Sequence, residues 1–354
     1  MNKDNKTIII TDCDQILQND IQTDIYNIVN QLKNVRSICR TFKLLNNLNE
    51  YEYIIESNNL KINYPREYEF EINKFADKYN KYLSKIDFYY QILNYDRMLY
   101  TNHRLCNAIS KTRYLLNKSY IKDVEKPMNL KDTIELTQEF FDEYDPKITK
   151  FMNKVMNKKR VVFSQNDFES GVTYSASEKN DAYVFVYPTY TIADCLTLAH
   201  EIIHAYIDEN TKTMNDSELA NTYINNYFEV HSIFIELVFI KYLKDRKIYE
   251  EDLINYTKRY LNVLIDEEED FYKSEYKDSF KERYVIGYVL AAHFYNQYLV
   301  NKEEAKKNIM KFMLEMKEKD KMEMLNNYGL NLDEIQNEKK FKRIIRKYVN
   351  RLEK

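Results

Sequence analysis

Two of the five histidines in this 354-residue chain stand four residues apart, in His200-Glu201-Ile202-Ile203-His204. On an α-helix, positions i and i+4 share one face, one turn apart. Two imidazoles so placed can hold one Zn²⁺, and the glutamate between them can reach a metal-bound water as general base. A five-residue pattern also arises by chance, so a third ligand has to be sought. A catalytic zinc site takes three protein ligands and keeps one position open.

Glu229 lies 25 residues beyond His204 and is the only acid between Glu218 and Glu236. It is embedded in the apolar run Tyr227-Phe-Glu-Val-His-Ser-Ile-Phe-Ile235. A carboxylate there is costly unless it is paired or bound to metal. Other spacings fail. Residues 205–210 contain no histidine, and Tyr223 stands where a shorter spacing would need an acid. His231 is about 200° around the helix from Glu229, so the two cannot face one ion; His231 is read as structural. Asp208, near the HExxH face, stays open as an alternative ligand.

These residues need two packed helices. Ile192, Leu196, Ala199, Ile203 and Ile207 form an apolar stripe around the HExxH, and Thr191-Ile-Ala-Asp194 has capping-box form at its start. Residues 218–243 read as a second, strongly apolar helix, with Glu229, Ile233 and Glu236 on one face. Helical periodicity also runs through 21–46, 67–117 and 131–157, with breaks at Pro65, Pro127 and near Pro146. One stretch differs: 160–163, 171–175 and 182–187 alternate like strands and predict a small antiparallel sheet. No internal repeat is present.

Composition agrees. Three glycines, four prolines and no tryptophan are too few turn-formers for an all-β barrel or sandwich. A net charge of −3 gives no basic field for nucleic acid. No apolar run nears the ~18–20 residues that span a bilayer, and the stretch before Asp12 and Asp14 is too short for a signal peptide. Cys13, Cys39, Cys106 and Cys195 lack any CxxC pairing and are expected to be reduced thiols of a cytoplasmic protein. The acidic run 266–270 reads as solvated, and 339–354 as a core-docked helix with a basic outer face.

The HExxH with its glutamate 25 residues on, in the setting Phe228-Glu-Val-x-Ser232-x-x-x-Glu236, resembles the M3 family of zinc metallopeptidases, above all its oligoendopeptidase F branch. Ser170-Gly-Val-Thr-Tyr-Ser175, Tyr183-Val-Phe-Val-Tyr187 and Asp194-Cys-Leu-Thr-Leu-Ala-His-Glu201 carry the likeness upstream, and Tyr284-Val-Ile-Gly-Tyr288 and Asn327-Tyr-Gly-Leu330 carry it downstream. It covers roughly 128–354, with weaker echoes over 85–127.

The resemblance implies a mainly α, zincin-type fold with a small sheet beside the HExxH helix and a deep substrate groove. Residues 1–127 would form an abbreviated helical lid and 128–354 the catalytic domain. One zinc would be held by His200, His204 and Glu229, with Glu236 orienting a ligand histidine. Glu201 would act as base and then acid, and Tyr284 and Tyr288 would donate to the oxyanion. Strand 182–187 would pair with substrate backbone, bringing Tyr183 and Phe185 to the peptide, with Gly171 alongside.

The implied activity is zinc-dependent hydrolysis of peptide bonds in short peptides, without nucleic-acid or membrane partners. Two departures stand out. Ile203 occupies a usual glycine, and Asp278 and Ser279 stand where the family carries a histidine ahead of the tyrosines. The missing histidine and short N-terminal part keep two other functions in view, a zinc-containing peptide-binding protein with little turnover and a protease dedicated to one partner peptide.

Overall fold

A computed structural model describes residues 13–34, parts of 44–74, 126–164, 170–176, 181–210, most of 229–256, 279–315 and 327–329. Its elements are α1 (Cys13–Asn34), α2 (Leu130–Tyr144), α3 (Pro146–Asn157), β1 (Val161–Phe163), β2 (Gly171–Ala176), β3 (Asp181–Val186), α4 (Ala193–Asn210), α5 (Glu229–Asp245), α6 (Ser279–Tyr298) and α7 (Lys302–Glu315). The fold is mainly α with one small sheet. The runs 266–270 and 339–354, and the histidine position 278, fall outside the described residues.

Local chemistry sets the boundaries. Asp145 ends α2 and starts α3: its amide donates to the Phe141 carbonyl, and its carboxylate accepts from the Lys147 amide. Pro146 follows in the first turn of α3, where a missing N–H costs nothing. At the head of α4, Thr191 Oγ1 accepts from the Ala193 amide. Asp194 reaches back to the amides of Thr189 and Tyr190, both at 2.8 Å. Burial raises the pKa of Asp194, and those donors oppose the rise.

The sheet has the order β1-β3-β2. β2 and β3 form an antiparallel hairpin, with Gly171 opposite Val186 and Thr173 opposite Val184. The sheet is mixed rather than wholly antiparallel, because β1 runs parallel to β3. The chain leaving β1 passes over the β3 position to lay down β2 first. Thus β3 is central and β2 is at an edge among the described residues.

Period-two alternation gives the sheet two unlike faces. Val161, Phe163, Ala182, Val184 and Val186 join the large core containing α4 and α5. Val162, Tyr183, Phe185 and Tyr187 join a second core built on Leu17, Ile21, Ile25, Ile28 and Leu32 of α1. The described part of 1–127 therefore packs on the sheet face opposite α4.

α4 and α5 are apolar nearly all round, and both are buried. That pattern marks an interior helix rather than an amphipathic surface one. The expected stripe of α4 is buried, including Ile203 at 0% exposure, but so is most of the rest of the helix. β2 and β3 lie along one side of α4, and α5 lies along another; α6 packs on α5.

Candidate metal centre

Three donor atoms converge where α4 meets α5. His200 Nε2 and His204 Nε2 are 3.0 Å apart, and Glu229 Oε2 is 3.1 Å from the first and 3.2 Å from the second. His200 and Glu229 are buried, and His204 is half-buried. Among the described residues this is the one group of three or more such side chains able to hold an ion, and it does not include Asp208.

The near-equilateral triangle fits a tetrahedral ion. Zinc–ligand bonds of ~2.0–2.1 Å put neighbouring ligand atoms about 3.3 Å apart. Hydrogen bonding alone serves the triangle poorly, because each imidazole nitrogen offers at most one proton. The donor set, two imidazoles and one carboxylate, is one that zinc takes.

The second nitrogen of His200 is also engaged. Its Nδ1 meets Glu236 Oε1 in a short hydrogen bond. With Nδ1–H donated to that carboxylate, Nε2 is the ring nitrogen that faces the cluster. Tyr256 makes a long 3.5 Å contact from its hydroxyl to the other oxygen of Glu236. Glu236 sits two turns along α5 from Glu229, so one helix face supplies both carboxylates.

Electrostatics follow the same geometry. Burial would raise the pKa of Glu229, but His204 and His200 outweigh it and hold the carboxyl well below its ordinary value. Burial would lower His200, yet Glu229 and Glu236 drive it well above its ordinary value without a metal. For Glu201 burial dominates, and its pKa is raised. A carboxylate made more basic by desolvation is suited to accepting a proton.

Glu201 faces β2. Thr173 Oγ1 lies 2.7 Å from Glu201 Oε2 and 2.9 Å from the Glu201 carbonyl. Gly171, two residues earlier on the same strand face, makes the closest approach. A Cβ there would lie 2.7 Å from Thr197 Cγ2 and 3.0 Å from Glu201 Cγ. Gly287 on α6 plays the matching part behind the third donor: a Cβ would lie 2.8 Å from Glu229 Cβ. Two of the three glycines thus abut the two central carboxylates.

Several expected positions fall elsewhere. Tyr183 is 1% and Phe185 0% exposed, and both face α1. Tyr183 donates its hydroxyl to Asp20 and lies 4.6 Å beneath the Arg160 guanidinium. Those side chains are core, so their assignment as peptide contacts is corrected. The proposed peptide pairing with β3 is corrected too, since β1 and β2 occupy both its edges.

Tyr284 and Tyr288 lie on α6 on either side of the Gly287 contact, but their side chains are outside the described residues. His231 is buried beside Phe234, in keeping with a structural role. Its pKa is pushed down to about 3, chiefly by burial.

Thr173 was not among the residues expected at the site. Strand parity held the signal: it shares a face with Gly171 on a strand whose neighbours on that face are apolar. Tyr256 carried no signal, being one of 33 tyrosines.

Fold and site together define a class: a mainly helical chain with an HExxH helix, a carboxylate from a second helix and a small sheet alongside. No protein-family model and no curated protein matches the chain. Solved structures do match in fold.

A Bacillus anthracis protein assigned as an oligoendopeptidase F is similar with a TM-score of 0.52 and 12% identity, over 81% of this chain and 64% of that one. PZ peptidase A, solved with an inhibitor, is similar with a TM-score of 0.51 and 15% identity, over 64% of this chain and 50% of that one. The likeness is one of fold. The chain spans between half and about two thirds of the length of these structures. No helix among the described residues is long and apolar enough to cross a membrane.

Proposed function

We propose that this protein is a zinc metallopeptidase that hydrolyses peptide bonds in short peptides. The observation that carries the reading is the triangle of His200, His204 and Glu229 donors, with the Glu201 carboxylate held beside it. The two solved structures described above are of peptidases, which agrees with it.

His200, His204 and Glu229 would hold one zinc ion, leaving its fourth position to water or substrate. When bound, zinc lowers the pKa of a ligated water and polarises the scissile carbonyl. Glu201 takes the proton from the attacking water and delivers it to the leaving amine, a role suited to its raised pKa. Glu236 keeps the His200 ring in one tautomer and orientation. Tyr288 and Tyr284, one helical turn apart on α6, are assigned as hydroxyl donors to the developing oxyanion. The outer edge of β2, rather than β3, offers backbone groups to an extended peptide by strand addition, and Gly171 keeps that edge close to Glu201.

The test is metal analysis with digestion of a peptide library, comparing wild type with Glu201→Gln. One zinc per chain in both, with cleavage only by wild type, is the expected outcome. A wild-type chain that takes up no stoichiometric zinc overturns the metal assignment. Zinc without cleavage favours a peptide-binding protein instead.

A further inference from the structure

Thr173 has no part in the scheme above, yet it makes the closest polar contact to the Glu201 carboxylate among the described residues. Its strand face is otherwise apolar in β1 and β3: Val161, Phe163, Ala182, Val184 and Val186 all enter the core. A valine would fit that pattern and have nearly the same shape. The hydroxyl is the one feature that valine lacks, and it lies within hydrogen-bond reach of two oxygens of one residue, Glu201 Oε2 and Glu201 O.

We propose that Thr173 is a positioning residue for Glu201, its hydroxyl pinning Oε2 against β2 so that the carboxylate is held in one orientation toward the His200–His204–Glu229 cluster. The proposal rests on the peptidase reading for its consequence in turnover.

A glutamate side chain has three rotatable bonds, and fixing it costs rotamer entropy unless something pre-orders it. A β-branched threonine on a strand is itself stiff at χ1, so its hydroxyl is a rigid anchor. A hydroxyl donated to a carboxylate is charge-assisted and stronger than one donated to a carbonyl. The single Thr173 proton therefore goes to Oε2, with the Glu201 carbonyl as its fallback. Gly171 completes the arrangement from the same strand: it gives the Glu201 stem room, and Thr173 fixes the head.

Two variants separate the hydroxyl from the packing. Thr173→Val keeps the branched shape and removes the donor; Thr173→Ser keeps the donor. T173V is expected to lower kcat by about 10- to 100-fold, as a misplaced catalytic group does. KM should stay within about twofold, the split expected when only the transition state loses an interaction. Zinc content should remain at the wild-type value. T173S should recover kcat to within about threefold of wild type, since the hydroxyl and its acceptor are both kept. Wild-type turnover by T173V, or a T173S no better than T173V, overturns the proposal.

A second measurement needs no turnover. Thermal unfolding of the full chain as purified is compared for wild type, T173V, Glu201→Met and the double variant. If the hydroxyl holds the carboxylate, the double variant loses less than the sum of the singles, by about 2 °C in Tm. Strict additivity overturns the pairing. A wild-type chain that cuts no peptide while the non-additivity persists breaks the peptidase reading alone and leaves the Thr173–Glu201 pairing standing.

Discussion

The two faces of the sheet both bury charge, and they do so to opposite ends. On the α1 face, Arg160 and Asp20 form an ion pair at 3.1 Å, and the Tyr183 hydroxyl donates to the same Asp20 oxygen. Cation, anion and hydroxyl pair with one another there. On the α4 face, two imidazole nitrogens and a carboxylate oxygen crowd to within 3.2 Å with no lysine or arginine among them. The first arrangement carries its own permanent cation, whereas the second gathers three donor atoms that could hold one. A buried polar cluster points to function when its members compete for the same missing partner, and to structure when they complete each other.

The largest effect expected from this contrast is on metal. Glu229→Ala should reduce zinc affinity by at least about 100-fold and abolish cleavage, because three ligands become two and no other carboxylate in the described residues is in reach. Titration against a zinc-binding dye checks it. Asp20→Ala, on the other face, should leave zinc affinity unchanged while destabilising the fold by about 2 kcal/mol, the worth of hydrogen bonds to a charged group. If Asp20→Ala released zinc, the two faces would not be separable.

Next in size come the glycines. Gly287→Ala places a methyl 2.8 Å from Glu229 Cβ. One of the two helices must move, at about 1–3 kcal/mol of overpacking strain, and Glu229 is displaced with it. Zinc affinity should fall about 10-fold, as when a supporting group of a ligand is disturbed. Gly171→Ala instead crowds Thr197 and the Glu201 stem. It should retain zinc and lose turnover. Isothermal titration and peptide kinetics on both variants would show whether binding and catalysis part as the geometry says.

Tyr183→Phe is a smaller and more pointed test. It removes one hydroxyl from Asp20 and should cost about 1–2 kcal/mol. Cleavage and its KM should be unchanged, because the ring belongs to the core with α1. A raised KM would return Tyr183 to the substrate.

How much of this was legible in the sequence depended on the range of the interaction. The HExxH is local, so its helix could be read from His200 and His204 alone. Glu229 was readable because a lone acid in an apolar helix must be paired or bound to metal to be stable there. The fate of β3 was not. Tyr183, Phe185 and Tyr187 alternate as edge-strand residues would, but alternation says only that two faces differ. Which face meets water depends on α1, about 150 residues earlier, and on β1 running parallel beside β3. Neither is encoded within the strand. Gly171 and Gly287 were legible as unusual in a glycine-poor chain, though not as the neighbours of Glu201 and Glu229.

The smallest expected effect lies in α6 and tests whether acid sensitivity belongs to the site or to the scaffold. His293 is largely buried, with Nε2 at 2.9 Å from the Tyr328 carbonyl. Burial lowers its pKa from the ordinary 6.5, against the pull of that carbonyl. Above 6.5 the imidazole is neutral in both folded and unfolded chains, and its contribution is fully present. As pH falls below 6.5 the unfolded chain takes up the proton first, so folding stability declines. His293→Gln removes that proton from the balance. Urea unfolding at pH 7, 6 and 5 should therefore show a shallower loss of stability in the variant than in wild type. The triangle of His200, His204 and Glu229 is untouched by the change, and zinc affinity at pH 7 should be the same in both. An unchanged slope would assign the acid sensitivity to the buried groups around α4 and α5 instead.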